Sequence, residues 1–282
     1  MDPADQHRAG AHEEGLDRRA AMPKADDIET RFRTAGHFTE ALKRNLFALY
    51  CQPIVAVESA KADYKYLEIF VRFREEEDKL LPPGTFFPIL EANHLTPLLD
   101  RWVVREVLRW SADKQGSQPN WHIPRFDLNL ADDTIRDKDF GGQVRDQLKE
   151  TKIPPNRLWF EMTGQQMARL PDAAKQTITR LKSLGCGIVV SDFSGVEMTA
   201  RGYKDAGAQI IKLSGSVVRN IHRNPEALSK LLELNGYCQK LGLQTIAEFV
   251  EHADTLPMLR NAGVNFAQGF AIAEPAPLSL VV

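Results

Sequence analysis

The sequence contains few cysteines, no long apolar run and almost no net charge. Cys51, Cys186 and Cys238 are far apart and lie in apolar surroundings, which indicates a reduced, cytoplasmic protein without structural disulfides. No apolar segment approaches the roughly 20 residues of a membrane-spanning helix, and the polar N-terminus lacks the apolar centre of a signal peptide. The formal net charge of −2 gives no electrostatic reason to expect nucleic acid or an anionic membrane as a partner.

Two common catalytic signatures are also missing. No glycine-rich phosphate-binding loop precedes a predicted helix, and no serine lies in the strand–turn–helix context of a hydrolase nucleophile. The aromatic residues follow the spacing of a hydrophobic core, so their pattern does not indicate stacking on bases.

The chain does contain a regular alternation of strands and helices. Residues 1–27 have almost no large apolar side chains, and we expect them to form a disordered polar tail because they cannot bury enough surface to offset their ordering entropy. Residues 28–282 then form one folded domain. Strands are predicted at 47–57, 64–73, 126–130, 158–162, 188–190, 209–213, 245–248 and 265–269, and helices at 28–45, 86–92, 98–110, 140–151, 172–184, 225–241 and 252–262.

This alternation predicts the architecture. Strand and helix repeat at a spacing of roughly thirty residues, which is typical of βαβ units in a parallel sheet. The number of units favours a closed α/β fold, a (β/α)₈ TIM-type barrel, over an open sheet, and the length of 282 residues is normal for one. The first two strands follow each other without a helix, so we expect a hairpin and an atypical start to the barrel.

Polar side chains interrupt or end most of the predicted strands. Because the carboxyl ends of barrel strands meet at one mouth, we expect these side chains to converge there. They are Glu68, Asn129, Glu161, Asp192, Lys212, Glu248 and Gln268. Their carboxylate and amide oxygens suit a hard cation such as Mg²⁺, Mn²⁺ or Ca²⁺ and not zinc. Lys212 is a candidate base or an ion-pair partner of the acids.

These residues lie in segments that resemble, in order and spacing, the motifs of EAL domains, the phosphodiesterases that open cyclic di-GMP. Glu68-Ile69-Phe70-Val71-Arg72-Phe73 stands at the position of E-A-L-x-R-W, and Ala247-Glu248-Phe249-Val250-Glu251 at that of A-E-G-V-E. Further matches lie at 50–55, 87–91, 128–131, 160–163, 191–193, 211–213, 268–270 and 274–275. Each motif is weak alone, but the ordered set is specific.

The resemblance implies a barrel with two divalent ions, Mg²⁺ or Mn²⁺, that activate a water for attack on a phosphodiester. It implies that Glu68, Asn129 and Glu161 stand at positions of ligands to the first ion, Asp192 and Glu248 near the second, and Lys212 beside the water. Positions that contact the dinucleotide are taken by Gln52, Arg72, Glu251, Gln268 and Pro275. An arginine suits phosphate because its guanidinium forms two parallel hydrogen bonds.

The chain departs from the family pattern where the metals would be. Ser191 replaces the acid that bridges the two ions, and a neutral hydroxyl cannot supply its charge. The loop at 194–200 differs from the family's G-T-G-Y-S-S, which couples the site to the dimer in relatives. Other family positions carry Ile69, Phe70, Gly164, Ser214 and Phe249. We therefore expect hydrolysis to be lost and no metal cofactor to be required, with Mg²⁺ or Mn²⁺ retained only where a metal site survives.

Three functions remain open on the sequence alone. The first is a receptor that binds cyclic di-GMP without cleaving it. The second is a nucleotide-independent module that binds a protein partner. The third is an active phosphodiesterase with an altered metal site. The sequence does not choose between a monomer and a homodimer.

Overall fold

The computed structural model describes residues 35–59, 65–74 and 80–281, so the predicted tail at 1–27 lies outside the described residues. The described chain forms an α/β barrel with an eleven-stranded sheet. Its strands are β1 (Phe47–Pro53), β2 (Val55–Ala56), β3 (Tyr66–Arg74), β4 (Leu80–Leu81), β5 (Arg125–Asn129), β6 (Leu158–Thr163), β7 (Gly187–Phe193), β8 (Ile210–Leu213), β9 (Gln244–Ala247), β10 (Phe266–Ala267) and β11 (Ala276–Pro277). Each region predicted as a strand contains at least one, and the region 47–57 contains both β1 and β2.

Seven of these strands run parallel, in the order β3, β5, β6, β7, β8, β9 and β10. The barrel closes through the N-terminal strand pair. β1 pairs antiparallel with β3, and β2, separated from β1 by the single residue Ile54, pairs antiparallel with β10. One extended segment thus bridges both edges of the parallel sheet, which confirms the predicted barrel and its atypical first strand.

Helices cover the outside of the barrel. They are α1 (Ala35–Lys43), α2 (Pro83–Ala92), α3 (Thr96–Ser117), α4 (Asp132–Arg136), α5 (Phe140–Thr151), α6 (Gly164–Arg169), α7 (Pro171–Ser183), α8 (Glu197–Ala206), α9 (Gly215–Val218), α10 (Pro225–Lys240) and α11 (Thr255–Asn261). α4, α6, α8 and α9 lie outside the regions predicted to be helical from the sequence. No helix among the described residues is both long and apolar enough to cross a bilayer.

The barrel interior has an apolar floor and a polar mouth. Ile54, Tyr66, Trp159, Val189, Ile210 and Ile246 form the floor. Gly187 on β7 is required beside Trp159, because a Cβ there would lie 2.1 Å from the indole ring. Side chains alternate along each strand, so residues two positions after the floor point into the barrel nearer its mouth. Glu161, two residues beyond Trp159 on β6, is one of them.

Candidate functional site

Lys212 lies at the centre of the mouth, with its side chain fully buried. Its Nζ is 2.8 Å from Glu68 Oε2 and 3.5 Å from Glu248 Oε1. It also forms an ion pair with Glu161 Oε2. The structure therefore brings together one lysine and three acids that the sequence analysis selected on four different strands or strand ends.

A fourth acid of this cluster, Asp127, was missed. Its Oδ2 lies 3.1 Å from Lys212 Nζ, and its side chain is fully buried. Asp127 is on β5, where it pairs with Glu68 on β3 and with Trp159 on β6. Asp127 lies in the strand predicted at 126–130, but it was not among the candidate site residues chosen from the sequence. The signal that selected Glu68, an acid inside an apolar run, applied equally to Asp127.

A chain of hydrogen bonds holds Glu68 from both sides. Asn129 Nδ2 donates to Glu68 Oε1 at 2.9 Å, and Gln268 Nε2 donates to Glu68 Oε2 at 2.8 Å. Gln268 Nε2 also donates to Gln52 Oε1 at 3.0 Å, and Gln52 Nε2 donates to the Ala273 carbonyl at 2.8 Å. Both oxygens of Glu68 thus accept hydrogen bonds from protein groups.

The crowding of charge changes the pKa values of the cluster. Burial raises the pKa of Glu248 to about 8, although Lys212 opposes the rise. Burial, together with repulsion from Glu161 and Glu68, raises the pKa of Asp127 well above its ordinary value. Burial opposes the charge of Lys212, but the surrounding carboxylates outweigh it and raise the pKa of its ammonium. Lys212 is therefore a fixed cation and not a neutral base near pH 7.

Ser191 and Asp192 are not among the described residues that surround Lys212. Ser191 is buried and pairs with Thr163 across β6 and β7. Asp192 is exposed, has a left-handed backbone with φ 58°, and lies within the break in the register between β7 and β8. Within the described residues, the Asp192 carboxylate is not among the groups that form an ion pair with Lys212.

The residues present do not fit the two bridged ions of the family. Glu68, Asn129 and Glu161 offer oxygen donors of the right chemistry, but the bridging position is the neutral Ser191. The acids converge on Lys212 Nζ instead of on a shared ion position. Among the residues that the structure describes, no group of three His, Cys, Asp or Glu side chains is arranged to hold a metal ion.

A cavity of about 470 Å³ opens above this cluster. It is lined by Gln52, Glu68, Phe70, Arg72, Arg219, Glu248, Phe249, Glu251, Gln268, Gly269, Phe270 and Pro275. All five residues that the sequence analysis placed at dinucleotide contacts are on this wall. The Arg72 guanidinium lies 5.4 Å from the centre of the Tyr50 ring and 5.9 Å from that of Phe70, which holds its planar fork beside the cavity.

One side of the cavity rim is formed by contacts between α9 and the segment after β9. Phe249 has a left-handed backbone with φ 55°, and its ring packs against Gly215, where a Cβ would lie 2.5 Å from it. Arg219 stacks on this ring with its Cζ 4.5 Å from the centre, and its Nε lies 3.4 Å from Glu251 Oε1. Phe249 and Phe270 remain 48% and 66% exposed, so these two aromatic side chains are available to a ligand, contrary to the core assignment made from the sequence.

The opposite side of the mouth carries a second departure from the family. A Cβ on Gly164, the first residue of α6, would lie 2.3 Å from the Tyr203 hydroxyl. Tyr203 on α8 packs edge-on against Phe193 at 6.1 Å, and burial and the charge of Asp192 raise its pKa. The segment after Asp192, expected to be a loop, thus becomes helical at Glu197 and fills the space beside Gly164.

Comparisons with known proteins agree with this architecture. A family model of the EAL domain matches residues 35–275. Cyclic di-GMP phosphodiesterase PdeF of Escherichia coli (strain K12) is 28% identical over 266 residues, which cover 94% of this chain and 34% of PdeF. Cyclic di-GMP phosphodiesterase PdeB of Shewanella oneidensis is 26% identical over 247 residues, 87% of this chain and 28% of PdeB. This chain therefore spans about a third of the length of these relatives.

Solved structures show the same fold. The FimX EAL domain of Xanthomonas citri in complex with c-diGMP superposes with a TM-score of 0.80 at 23% identity, over 91% of this chain and 97% of that one. The FimX EAL domain from Pseudomonas aeruginosa bound to c-di-GMP gives 0.77 at 23% identity, over 90% and 97%. Since the family model covers most of the sequence, this chain belongs to the EAL domain family.

Proposed function

We propose that this EAL domain is a receptor that binds cyclic di-GMP without hydrolysing it. One observation carries the proposal. The cavity keeps Gln52, Arg72, Glu251 and Gln268 together on one wall, while the position of the bridging acid is held by Ser191. The domain has thus retained the groups suited to holding a nucleotide and lost a group needed to cleave it.

The cavity supports binding of a dinucleotide on chemical grounds. Its volume of about 470 Å³ lies within the range of small-molecule sites. Arg72 supplies a cation for a phosphate, and its position over Tyr50 fixes the direction of its hydrogen bonds. Arg219, which also lines the cavity, supplies a second cation.

Exposed aromatic side chains support recognition of bases. Phe249 and Phe270 present their rings to the cavity, and stacking of a base on an aromatic ring contributes about 1–3 kcal/mol. Two purines and two phosphates therefore find matching groups on the same wall. The c-diGMP complex of the Xanthomonas citri FimX EAL domain, which shares this fold, supports the same ligand class.

The loss of hydrolysis follows from charge. Two dications about 3.5–4 Å apart need an anionic bridge to lower their repulsion. Ser191 is neutral, and Asp192 is exposed with its carboxylate outside the Lys212 cluster. The attacking water would therefore lack the paired ions that activate it in a two-metal hydrolysis.

A protein-interaction module is the second candidate. Val196 and Met198, at the start of α8, are 56% and 73% exposed. Exposed apolar residues of this kind favour contact with another protein chain, either a partner or a second copy. This candidate does not require an occupied nucleotide cavity, so nucleotide binding distinguishes it from the receptor.

Calorimetric titration with cyclic di-GMP, in EDTA and in Mn²⁺, tests the proposal. We expect binding in both buffers, and no linear product by chromatography after prolonged incubation. Arg72→Ala should weaken binding by about tenfold or more, whereas Arg109→Ala on the exposed face of α3 should not. Absence of heat would favour the interaction module, and manganese-dependent turnover lost in Glu68→Ala would establish an active phosphodiesterase.

A further inference from the structure

The deepest part of the mouth contains a buried carboxylate, that of Asp127, which accepts no hydrogen bond from the residues that the structure describes. Asp127 is fully buried, yet neither of its carboxylate oxygens has a hydrogen-bond donor among the described residues. Its cationic neighbour is Lys212, whose Nζ lies 3.1 Å from Oδ2 and also donates a hydrogen bond to Glu68. A buried carboxylate without a nearby cation is strongly unfavourable.

The geometry makes Lys212 the common neighbour of all four acids. Glu68, Asp127 and Glu161 come from three adjacent strands, and Glu248 directly follows a fourth. Each approaches Nζ within 4 Å, and no water-exposed surface remains on the lysine side chain. A divalent ion bound to Glu68 and Glu161 would have to share this small volume with the ammonium group.

We propose that Lys212 is the resident cation of this mouth, that Asp127 is a positioning residue that holds it there, and that the domain is closed to a metal ion at these carboxylates. Asp127 lies two residues before Asn129 on β5, one step deeper in the barrel on the same face. Its attraction therefore opposes an outward swing of Lys212, which would vacate the space between Glu68 and Glu161. This inference rests on the proposed receptor function, because it states that the receptor needs no metal ion at these carboxylates.

Removing the lysine side chain's charge tests the proposal directly. In Lys212→Met the four acids lose their cation, while an unbranched, uncharged side chain that extends as far as the lysine Cε is kept. We expect this variant to bind Mn²⁺ at least about tenfold more tightly than the wild type, measured by calorimetry and by the electron paramagnetic resonance signal of free Mn²⁺, without nucleotide. Mn²⁺ should also raise the melting temperature of the variant and leave that of the wild type unchanged.

A double variant separates the effect of vacating the Lys212 position from the effect of changing the net charge of the cluster. It also provides a second variant in case the first does not fold. Lys212→Met/Asp127→Asn removes one cation and one anion, so the cluster keeps the formal charge of the wild type. If a metal ion takes the place that Lys212 vacates, the double variant should also bind Mn²⁺ more tightly than the wild type. If the single variant does not fold, the double variant is used for the test.

Two results would overturn the proposal. One is stoichiometric Mn²⁺ binding by the wild type that disappears in Glu68→Gln. The other is that neither folded variant binds Mn²⁺ better than the wild type. Because this readout uses Mn²⁺ alone, it is independent of the cyclic di-GMP titration, and a failure of the receptor function would be seen separately.

Discussion

The hydroxyl group of Tyr203 occupies the space that a side chain at position 164 would need. An ideal Cβ on Gly164 would lie 2.3 Å from the hydroxyl oxygen and 3.2 Å from Cζ of the same ring. The absence of a side chain at Gly164 therefore leaves room for the Tyr203 hydroxyl. The helix after Asp192, which carries Tyr203, thus packs against the end of β6 where Gly164 has no side chain.

Gly164→Ala should therefore destabilise the fold, and Tyr203→Phe should relieve part of the effect. We expect the single alanine variant to lower the free energy of unfolding by about 1–3 kcal/mol, measured by urea denaturation, and the double variant to lose less than the sum of the two changes. Gly202→Ala on α8 is the matched control, because nothing lies within 4 Å of its Cβ position. Additive effects of the two substitutions would contradict the assigned contact.

Phe249→Gly should separate ligand binding from stability. The left-handed backbone at φ 55° costs about 1 kcal/mol with a side chain and none with glycine, which offsets the lost packing against Arg219. We expect the free energy of unfolding to change by less than about 1 kcal/mol, while affinity for cyclic di-GMP falls by about tenfold because a stacking surface is lost. Leu280→Ala, also exposed but outside the cavity wall, should leave affinity unchanged.

Gly187→Ala should test the packing of the barrel floor. Its Cβ would lie 2.1 Å from the Trp159 indole, which is almost fully buried and cannot move aside cheaply. We expect a loss of about 3 kcal/mol in the free energy of unfolding. Gly236→Ala on α10, where the Cβ position is open, should be neutral or stabilising by up to about 1 kcal/mol. Equal effects at the two glycines would contradict the close contact with Trp159.

Asp100 should make stability depend on pH in the mildly acidic range. Burial raises its pKa from 3.8 to about 6, although its carboxylate accepts the Ala131 N–H at 2.9 Å. The folded state therefore binds its proton more tightly than the unfolded state, and the stabilisation is complete below pH 3.8 and lost as pH rises through about 6. Asp100→Asn keeps the acceptor oxygen and removes the titration.

The measurement is the difference in free energy of unfolding between wild type and Asp100→Asn at several pH values. From pH 4 to 7 this difference should shift against the wild type by about 2 kcal/mol. A difference that stays constant with pH would show that the Asp100 carboxyl has an ordinary pKa in the folded protein.

Most residues of the barrel mouth could be predicted from the sequence because they are polar residues within apolar strand segments. Glu68, Glu161 and Lys212 each interrupt a β-branched or aromatic run, and a polar residue there must face either solvent or a polar interior. Asp127 has the same signal, but its strand alternates, and alternation alone does not tell which face points into a closed barrel. Asp192 was expected in the cluster, yet the bulge in β7 turns its backbone left-handed and leaves it exposed.

The short helices and the cavity rim were not predictable in the same way. α6 and α9 begin at Gly164 and Gly215 and are too short to show helical periodicity. α6 begins with a local capping box between Thr163 and Gln166, and it is held by a tertiary contact in which Gln166 Nε2 donates to the Leu130 carbonyl at 2.9 Å. α9 is held by the ring of Phe249, which packs against Gly215. Such contacts join residues distant in sequence, so they depend on the assembled barrel and not on local propensity.

The segment that bridges both edges of the parallel sheet has a consequence for biosynthesis. Val55 pairs with Ala267, so the last seam of the barrel joins a residue made early to one made late. Until the ribosome has released nearly the whole domain, the parallel sheet has an open edge that can pair with another nascent chain. The barrel should therefore close late and slowly, and until it closes we expect chaperones to recognise the unpaired strand edge.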